Sequence, residues 1–394
     1  MKIKKTHAFC IIFFGIIAIG IVAVFLVKQN EKEIKSCYSE IPWEMCSEQG
    51  VFFLNDSYLS FADPSNGKRV LICNTVGCTH EKSDCSAAFD SALVNGVSLM
   101  EDKIIYLSNE GIKDKIGYYV YEADTNGMNR EKVAYIPEVE YISGVTINND
   151  RIVICYQNNW DKNNRELDVP KAGIYVYDFE EKEGTIIYEL QEQNALVSRF
   201  EMTKNGVLFT EYYNDLSKEE IAEHATDKDY VDSHSHSNLV YVSYSGEDKK
   251  ILDEGIELAS NLKAESDSVY YVKENKVYCC ELVSGKKQEI YSVEANEKIS
   301  VKPAFDRNGF IIQCYQEESN TYKMFYYDIK EKKSQSYGES DISVIAEYED
   351  YTYVNILSEN NDVVLGYIKT KDMMQKKWNL AKPFGTEYLE QMEG

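Results

Sequence analysis

The residues best suited to chemistry lie in one short run, CNTVGCTHEKSDC. It carries Cys73, Cys78, His80 and Cys85 in the order C-x4-C-x-H-x4-C. Three thiolates and an imidazole make a tetrahedral zinc set, and thirteen residues are short enough to wrap one ion. All four positions would be filled by protein, so such a site is structural and leaves no place for a reacting water. Cys78 and His80 are two apart, and an extended segment would turn both to one face. Gly77 then lets the chain turn so that Cys73 and Cys85 close from either side. The competing reading is a disulfide between two of the three cysteines, with His80 on the surface.

A second cluster is more diffuse. His224, Asp227, Asp229, Asp232, His234 and His236 place three of the five histidines among acids, a set that a divalent cation could use. Polar loops assemble such sets by chance, and a solvated rim loop is the simpler reading. Asp124, Asn126, Gly127 and Asn129 resemble part of a calcium loop, but the closing bidentate Glu is missing and a hairpin turn explains them better. Cys155, Cys279, Cys280 and Cys314 fall inside apolar runs, where a cysteine behaves as a small hydrophobe. No nucleophile elbow, phosphate loop, zinc-protease motif or dinucleotide fingerprint occurs. Carboxylates are too many in this chain to select an acid/base pair.

The elements that must position these residues recur along the chain. From residue 51 a Tyr-rich strand, a connection, a strand ending in aromatic plus acid, a polar turn and a short last strand repeat. VFFLNDSYLSFADPSNGKRVLI (51–72), YYVYEADTNGMNREKVAYI (118–136), GIYVYDFEEKEGTIIYEL (173–190) and KMFYYDIKEKKSQSY (323–337) show the unit. Apolar–polar alternation marks half-buried strands, and Asn66-Gly67, Asn126-Gly127 and Ser245-Gly246 supply hairpin turns. About seven repeats of roughly 47 residues fill 51–378, the period of propeller blades. The fold expected is therefore all-β, a β-propeller of about seven four-stranded blades packed around a channel. One segment, 214–237, breaks the rhythm. Ser217 and Glu220 form a capping box ahead of KEEIAEHA, so a short helix over 217–226 is expected in a loop insertion.

Residues 8–27, AFCIIFFGIIAIGIVAVFLV, contain no charge and are long enough to span a bilayer as a helix. Lys2, Lys4 and Lys5 precede them, which keeps 1–7 cytoplasmic and places the remainder outside. A bulky Phe25-Leu26-Val27-Lys28 end favours an uncleaved signal anchor over a cleaved signal peptide. A polar stalk over 28–50 then leads to the propeller domain, and 379–394 form a tail. The expected location is thus the cell membrane, single-pass, with the bulk of the chain extracytoplasmic.

The 394-residue chain carries a net charge of −24, and its acids all lie beyond the apolar stretch. A surface so negative repels phosphate backbones and excludes nucleic acid as a partner. Ten cysteines suit an oxidising compartment. Cys10 sits in the apolar stretch, which leaves an odd nine outside and forbids complete pairing within one chain. With 31 Tyr against 3 Trp and 6 Pro, the composition leans to β structure.

The run from Leu71 to Phe89, LIC-x4-C-x-H-x4-C-x-A-x-F after a first Tyr-rich blade, resembles a group of membrane-anchored extracytoplasmic β-propeller proteins of Gram-positive bacteria. That group is similar to TolB-like and YncE-like propellers. The resemblance implies fold and location and brings no catalytic residue. Function is then expected to be that of a cell-surface binding or scaffold module for a peptide, glycan or membrane-protein partner, with no cofactor beyond structural zinc. The alternative is an extracytoplasmic hydrolase or lyase with its site at the channel mouth.

Overall fold

The computed structural model describes residues 44–385, apart from 56–57, 74, 81–84, 90–93, 101–102, 110–116, 149, 161–165, 257–261, 266, 294–296, 306 and 358–362. All belong to the compact unit Lys35–Gly394. The expected membrane anchor at 8–27, the tip at 1–7 and most of the stalk lie outside the described residues. Among those described, no helix is long and apolar enough to cross a membrane.

The architecture is a succession of antiparallel four-stranded meanders. Separate sheets span residues 44–71, 94–137, 141–190, 193–254 and 262–292, each with its strands in sequence order. The remaining strands form one eight-stranded sheet, made of a meander over 297–340 and another over 343–383. Here the expectation of about seven separate blades is corrected. Five four-stranded blades stand alone, and the last eight strands are continuous because Glu297–Ala304 and Ser343–Glu347 share a parallel bridge at Ala304 and Glu347. The first blade opens with the strand Glu44–Cys46, paired with Val51–Asn55, so it begins inside the segment read as stalk.

The first strands of successive meanders lie side by side around the centre. Closure of the ring is made by side chains. Tyr348 and Tyr353 in the last meander donate to the carbonyls of Cys46 and Ser47 in the first, at 2.9 Å each. Cys46, Val51, Ala62, Ala346, Tyr348, Tyr353 and Phe384 form the core between them.

Tyrosine does similar work at other joints, which accounts for its abundance. Its ring fills the space between two pleated faces and its hydroxyl reaches a polar group on the neighbouring blade. Tyr118 of the second blade donates to Glu140 O at 2.9 Å. Tyr188 of the third donates to the buried Glu211 of the fourth, whose other oxygen takes Asn238 Nδ2 at 2.8 Å. Tyr271 of the fifth donates to Asp253 of the fourth at 2.5 Å, where Lys287 and Lys273 also converge at 2.8 and 3.2 Å. Burial, followed by the facing carboxylate, pushes the Tyr188 and Tyr271 hydroxyls far up, so both stay protonated donors. In the eight-stranded sheet, Arg307 stacks 3.4 Å over Tyr326 and binds both Tyr337 and the buried Glu347.

Aspartates at the ends of third strands hold the turns to the fourth. Asp63, Asp178 and Asp328 accept from the backbone of Ser65, of Glu180 and Glu181, and of Glu331 at 2.8–3.1 Å, an Asx-turn geometry. The insertion contains the expected capping box, with helix α1 over Lys218–Glu223, and a second helix α2 over Lys228–Ser233 capped by Asp227. Neither helix buries a residue. After the last long strand, helix α3 (Thr370–Met374) and a 3-10 turn (Trp378–Leu380) carry the chain back over the sheet.

Candidate metal site between the first two blades

The loop joining the first blade to the second leaves the strand Lys68–Leu71 and re-enters at Val94–Met100. It packs in the wedge between the blades. Leu59 N donates to Ala87 O at 2.8 Å, Ile72 N to Leu59 O at 3.0 Å, and Tyr58 bridges to Ala88. Cys85, Ala87 and Ala88 are buried with Tyr58, and Leu71, Cys73 and Cys78 pack against them. Backbone pairing with the first blade therefore fixes both ends of the Cys/His run.

The ligand atoms of Cys73, Cys78, His80 and Cys85 lie within 4.8 Å of one another. A tetrahedral zinc with thiolate ligands needs edges of about 3.8 Å, so small inward movements would close the set. His80 N donates to Cys78 Sγ at 3.3 Å, and His80 Nδ1 lies 3.4 Å from Cys85 Sγ. No disulfide joins any two of these cysteines. The group could hold a metal ion.

The loop brings these atoms together by a turn rather than an extended segment. His80 sits at φ 59°, in the left-handed region, so the one-face argument for Cys78 and His80 does not apply. The sparsely populated conformation is held by the Tyr58 hydroxyl, which donates to His80 O. Charge is unevenly shared. Burial works against ionising Cys73, but hydrogen bonds from Thr75 N and from Cys78, Cys85 and Ser86 outweigh it and bring that thiol to about 6. Burial, with the neighbouring Cys73 thiolate, pushes Cys85 up to about 12. One thiolate thus stands ready, and the arrival of a cation would displace further protons.

The other sequence candidates do not converge. Among the described residues, the Cys/His set is the one group of three or more such side chains whose ligand atoms meet. His224 and His234 instead lie against the Tyr230 ring, with centroids 3.9 and 4.6 Å away. His234 Nδ1 lies 2.9 Å from Tyr230 O, and Asp227 caps α2 through Tyr230 N. His236 stacks on Tyr213 and pairs with Asp215 at 3.1 Å. Asp124 binds Lys103 and Asn129, and Asn126 accepts Met128 N, so this run is a hairpin turn.

Arg130, which spacing gave no reason to notice, and the turn glycine Gly127 complete the loop's surroundings. Arg130, at the turn between the third and fourth strands of the second blade, donates through Nη2 to Ser86 O (2.6 Å) and Ala88 O (2.9 Å). Its guanidinium lies 3.9 Å over the Phe89 ring. Gly127, at φ 75°, lets the turn approach closely, since a Cβ there would fall 2.0 Å from Ser86 O.

No protein-family model matches the chain, and no curated protein matches it by sequence. Solved structures do. A prolyl endopeptidase structure is similar over 89% of this chain and 49% of its own, with TM-score 0.52 and 10% identity. An oligogalacturonate lyase in complex with manganese matches over 69% and 72%, with TM-score 0.47 and 10% identity. The β-propeller domain of the Trilobed protease from Pyrococcus furiosus matches over 74% and 84%, with TM-score 0.46 and 13% identity. The likeness is one of fold, and that fold is the β-propeller. The chain spans about half the length of the prolyl endopeptidase, and at such identities no activity transfers.

Proposed function

We propose that this protein is a non-catalytic β-propeller, a binding or scaffold module for a peptide, glycan or membrane-protein partner, whose first two blades are stapled by zinc. The observation that carries this reading is the Cys73, Cys78, His80 and Cys85 set, with ligand atoms within 4.8 Å of one another at a blade joint. Four protein ligands leave no coordination position for a substrate, so the ion's role is cohesion. The buried Glu211 and Glu347 and the half-buried Asp253 and Arg307 agree in kind, since all four are spent on joints between meanders.

The apolar stretch 8–27, with Lys2, Lys4 and Lys5 before it, supports an uncleaved anchor and an extracytoplasmic ring, as in the Gram-positive proteins the Cys/His run resembles. One preparation tests both parts. Intact, wall-stripped cells are treated with protease, and the membrane fraction from untreated cells is purified in detergent for metal analysis. Digestion of the propeller in intact cells, with about one zinc per chain and its loss in His80→Ala, is the expected result. A protected propeller refutes the location. A metal-free chain with a peptide cross-linked through two of the three cysteines refutes the zinc reading.

A further inference from the structure

Arg130 has no role in the site so far described, yet it touches the segment that carries the last ligand. Ser86, which follows Cys85 directly, and Ala88 both offer their carbonyls to Arg130 Nη2 at 2.6 and 2.9 Å. Ala88 N in turn donates to Cys85 O at 3.0 Å, so the arginine grips a closed turn that begins at the ligand. Arg130 is itself fixed in three ways. Its Nε donates to Gly127 O at 2.9 Å, its guanidinium lies on Phe89, and its turn abuts Ser86 through a glycine that admits no Cβ. Phe89 leans edge-on against Tyr106, at 5.1 Å, which stacks on Tyr121, at 5.0 Å. Both tyrosines belong to the core of the second blade.

The ligands thus come from the loop, while the brace on Cys85 comes from the neighbouring blade. We propose that Arg130 is the positioning residue of the metal site, setting its affinity from outside the coordination sphere and coupling metal occupancy to the joint between the first two blades. This inference rests on the reading of the Cys/His set as a metal site. The physical basis is pre-organisation. A ligand whose backbone is held before the ion arrives loses less conformational freedom on binding. Lysine cannot reproduce the grip, because it offers one charged nitrogen in place of a planar fork that both donates and stacks.

The test uses the full chain in detergent and compares wild type with Arg130→Ala, Arg130→Lys and a distant control, Arg151→Ala. Arg151 instead sits at the joint between the third and fourth blades, pairing with Asp178 at 3.0 Å and stacking on Tyr244 at 4.5 Å. Zinc affinity is measured by competition with a chromophoric chelator, and melting is followed with and without zinc. Arg130→Ala should weaken zinc binding about 10- to 100-fold, the range for outer-shell partners. The rise in melting temperature on adding zinc should shrink with it. Arg130→Lys should fall between, and serves alone if the alanine variant does not fold. Arg151→Ala should melt lower by the same amount with and without zinc. If wild type binds zinc and the Arg130 variants bind it equally well, melting lower to the same extent in both states, Arg130 is only structural and the inference falls. If wild type takes up no zinc, the metal reading falls and this inference falls with it.

Discussion

Removal of the metal should loosen one joint and leave the rest of the ring intact, and the hydrogen-bond pattern names the amides that report it. Leu59 N, Ile72 N, Cys78 N and Ala88 N donate to Ala87 O, Leu59 O, Thr75 O and Cys85 O at 2.8, 3.0, 3.2 and 3.0 Å. Each bond begins or ends in the loop between the first two blades, so each breaks when that loop opens. Binding of an ion to the closed loop alone stabilises it by RT ln(1 + [Zn]/Kd). That is about 4 kcal/mol, or a thousandfold in the opening equilibrium, at zinc a thousand times its dissociation constant. Hydrogen exchange read by mass spectrometry, before and after chelation, should show these amides exchanging faster by a factor of that order. Amides in the centre of the fourth blade, such as those of the Thr210–Leu239 pair, should hold their rates, since their ladder involves no loop residue. A uniform loss of protection over both regions would mean that metal supports global stability. No change in the loop would mean that the backbone pairing suffices without an ion. Either result refutes the local-staple argument.

Two other joints give sharp expectations. Asp253 is held below the usual carboxylate range. Burial opposes its ionisation, but hydrogen bonds from Lys287, Tyr271, the Glu254 backbone and Lys273 outweigh that. A depressed folded value contributes stability that is present above the unfolded value and is lost as pH falls through the folded one. Asp253→Asn should therefore cost about 2 kcal/mol in urea titrations at pH 7, with the gap to wild type closing in strong acid. A gap that does not vary with pH would contradict this. Trp378, 6% exposed, donates through Nε1 to Tyr337 O at 2.8 Å and joins the core shared by the two halves of the eight-stranded sheet. Trp378→Ala should cost about 3–5 kcal/mol, and a shift in urea midpoint worth under about 1 kcal/mol would show that the returning tail is dispensable.

What was legible in the chain is what depends on near neighbours. Period-two alternation gave the strands, because a residue's face in a sheet follows from its parity alone. The acid at the end of a third strand and the Asn-Gly after it gave the turns. Ser217 and Glu220 gave the start of α1, since capping is settled within four residues. Convergence of Cys73, Cys78, His80 and Cys85 was open to inference because thirteen residues confine the ligands. The joints were not legible. Tyr348 meets Cys46 across 302 positions, and Tyr188 meets Glu211 across a change of blade, so no local spacing encodes either pair. The bridge that merges the last eight strands is equally non-local. The contacts of His224 and His234 were not legible either. Their spacing suits a cation, but both rings lie against Tyr230.

The proposed metal set lies where the first joint is thinly packed. Between the third and fourth blades the described core holds fourteen buried side chains, among them Phe200, Phe209 and Tyr188. At the first joint Leu59, Phe89, Val97, Ile104, Tyr106, Tyr121 and Ala123 form a smaller core, and in the wedge filled by the Cys/His loop the buried members are Tyr58, Cys85, Ala87 and Ala88. Two alanines bring one methyl group apiece, worth about 0.8 kcal/mol each when buried, which is little against the cost of ordering a long loop. Bonds can add cohesion there that bulk does not. A disulfide would use two of the three thiols and leave His80 without a purpose in its left-handed turn, whereas one ion uses all four side chains and draws the loop's two ends together. On the proposed reading an ion would add cohesion to this wedge, and the brace from Arg130 would hold its last ligand against the second blade.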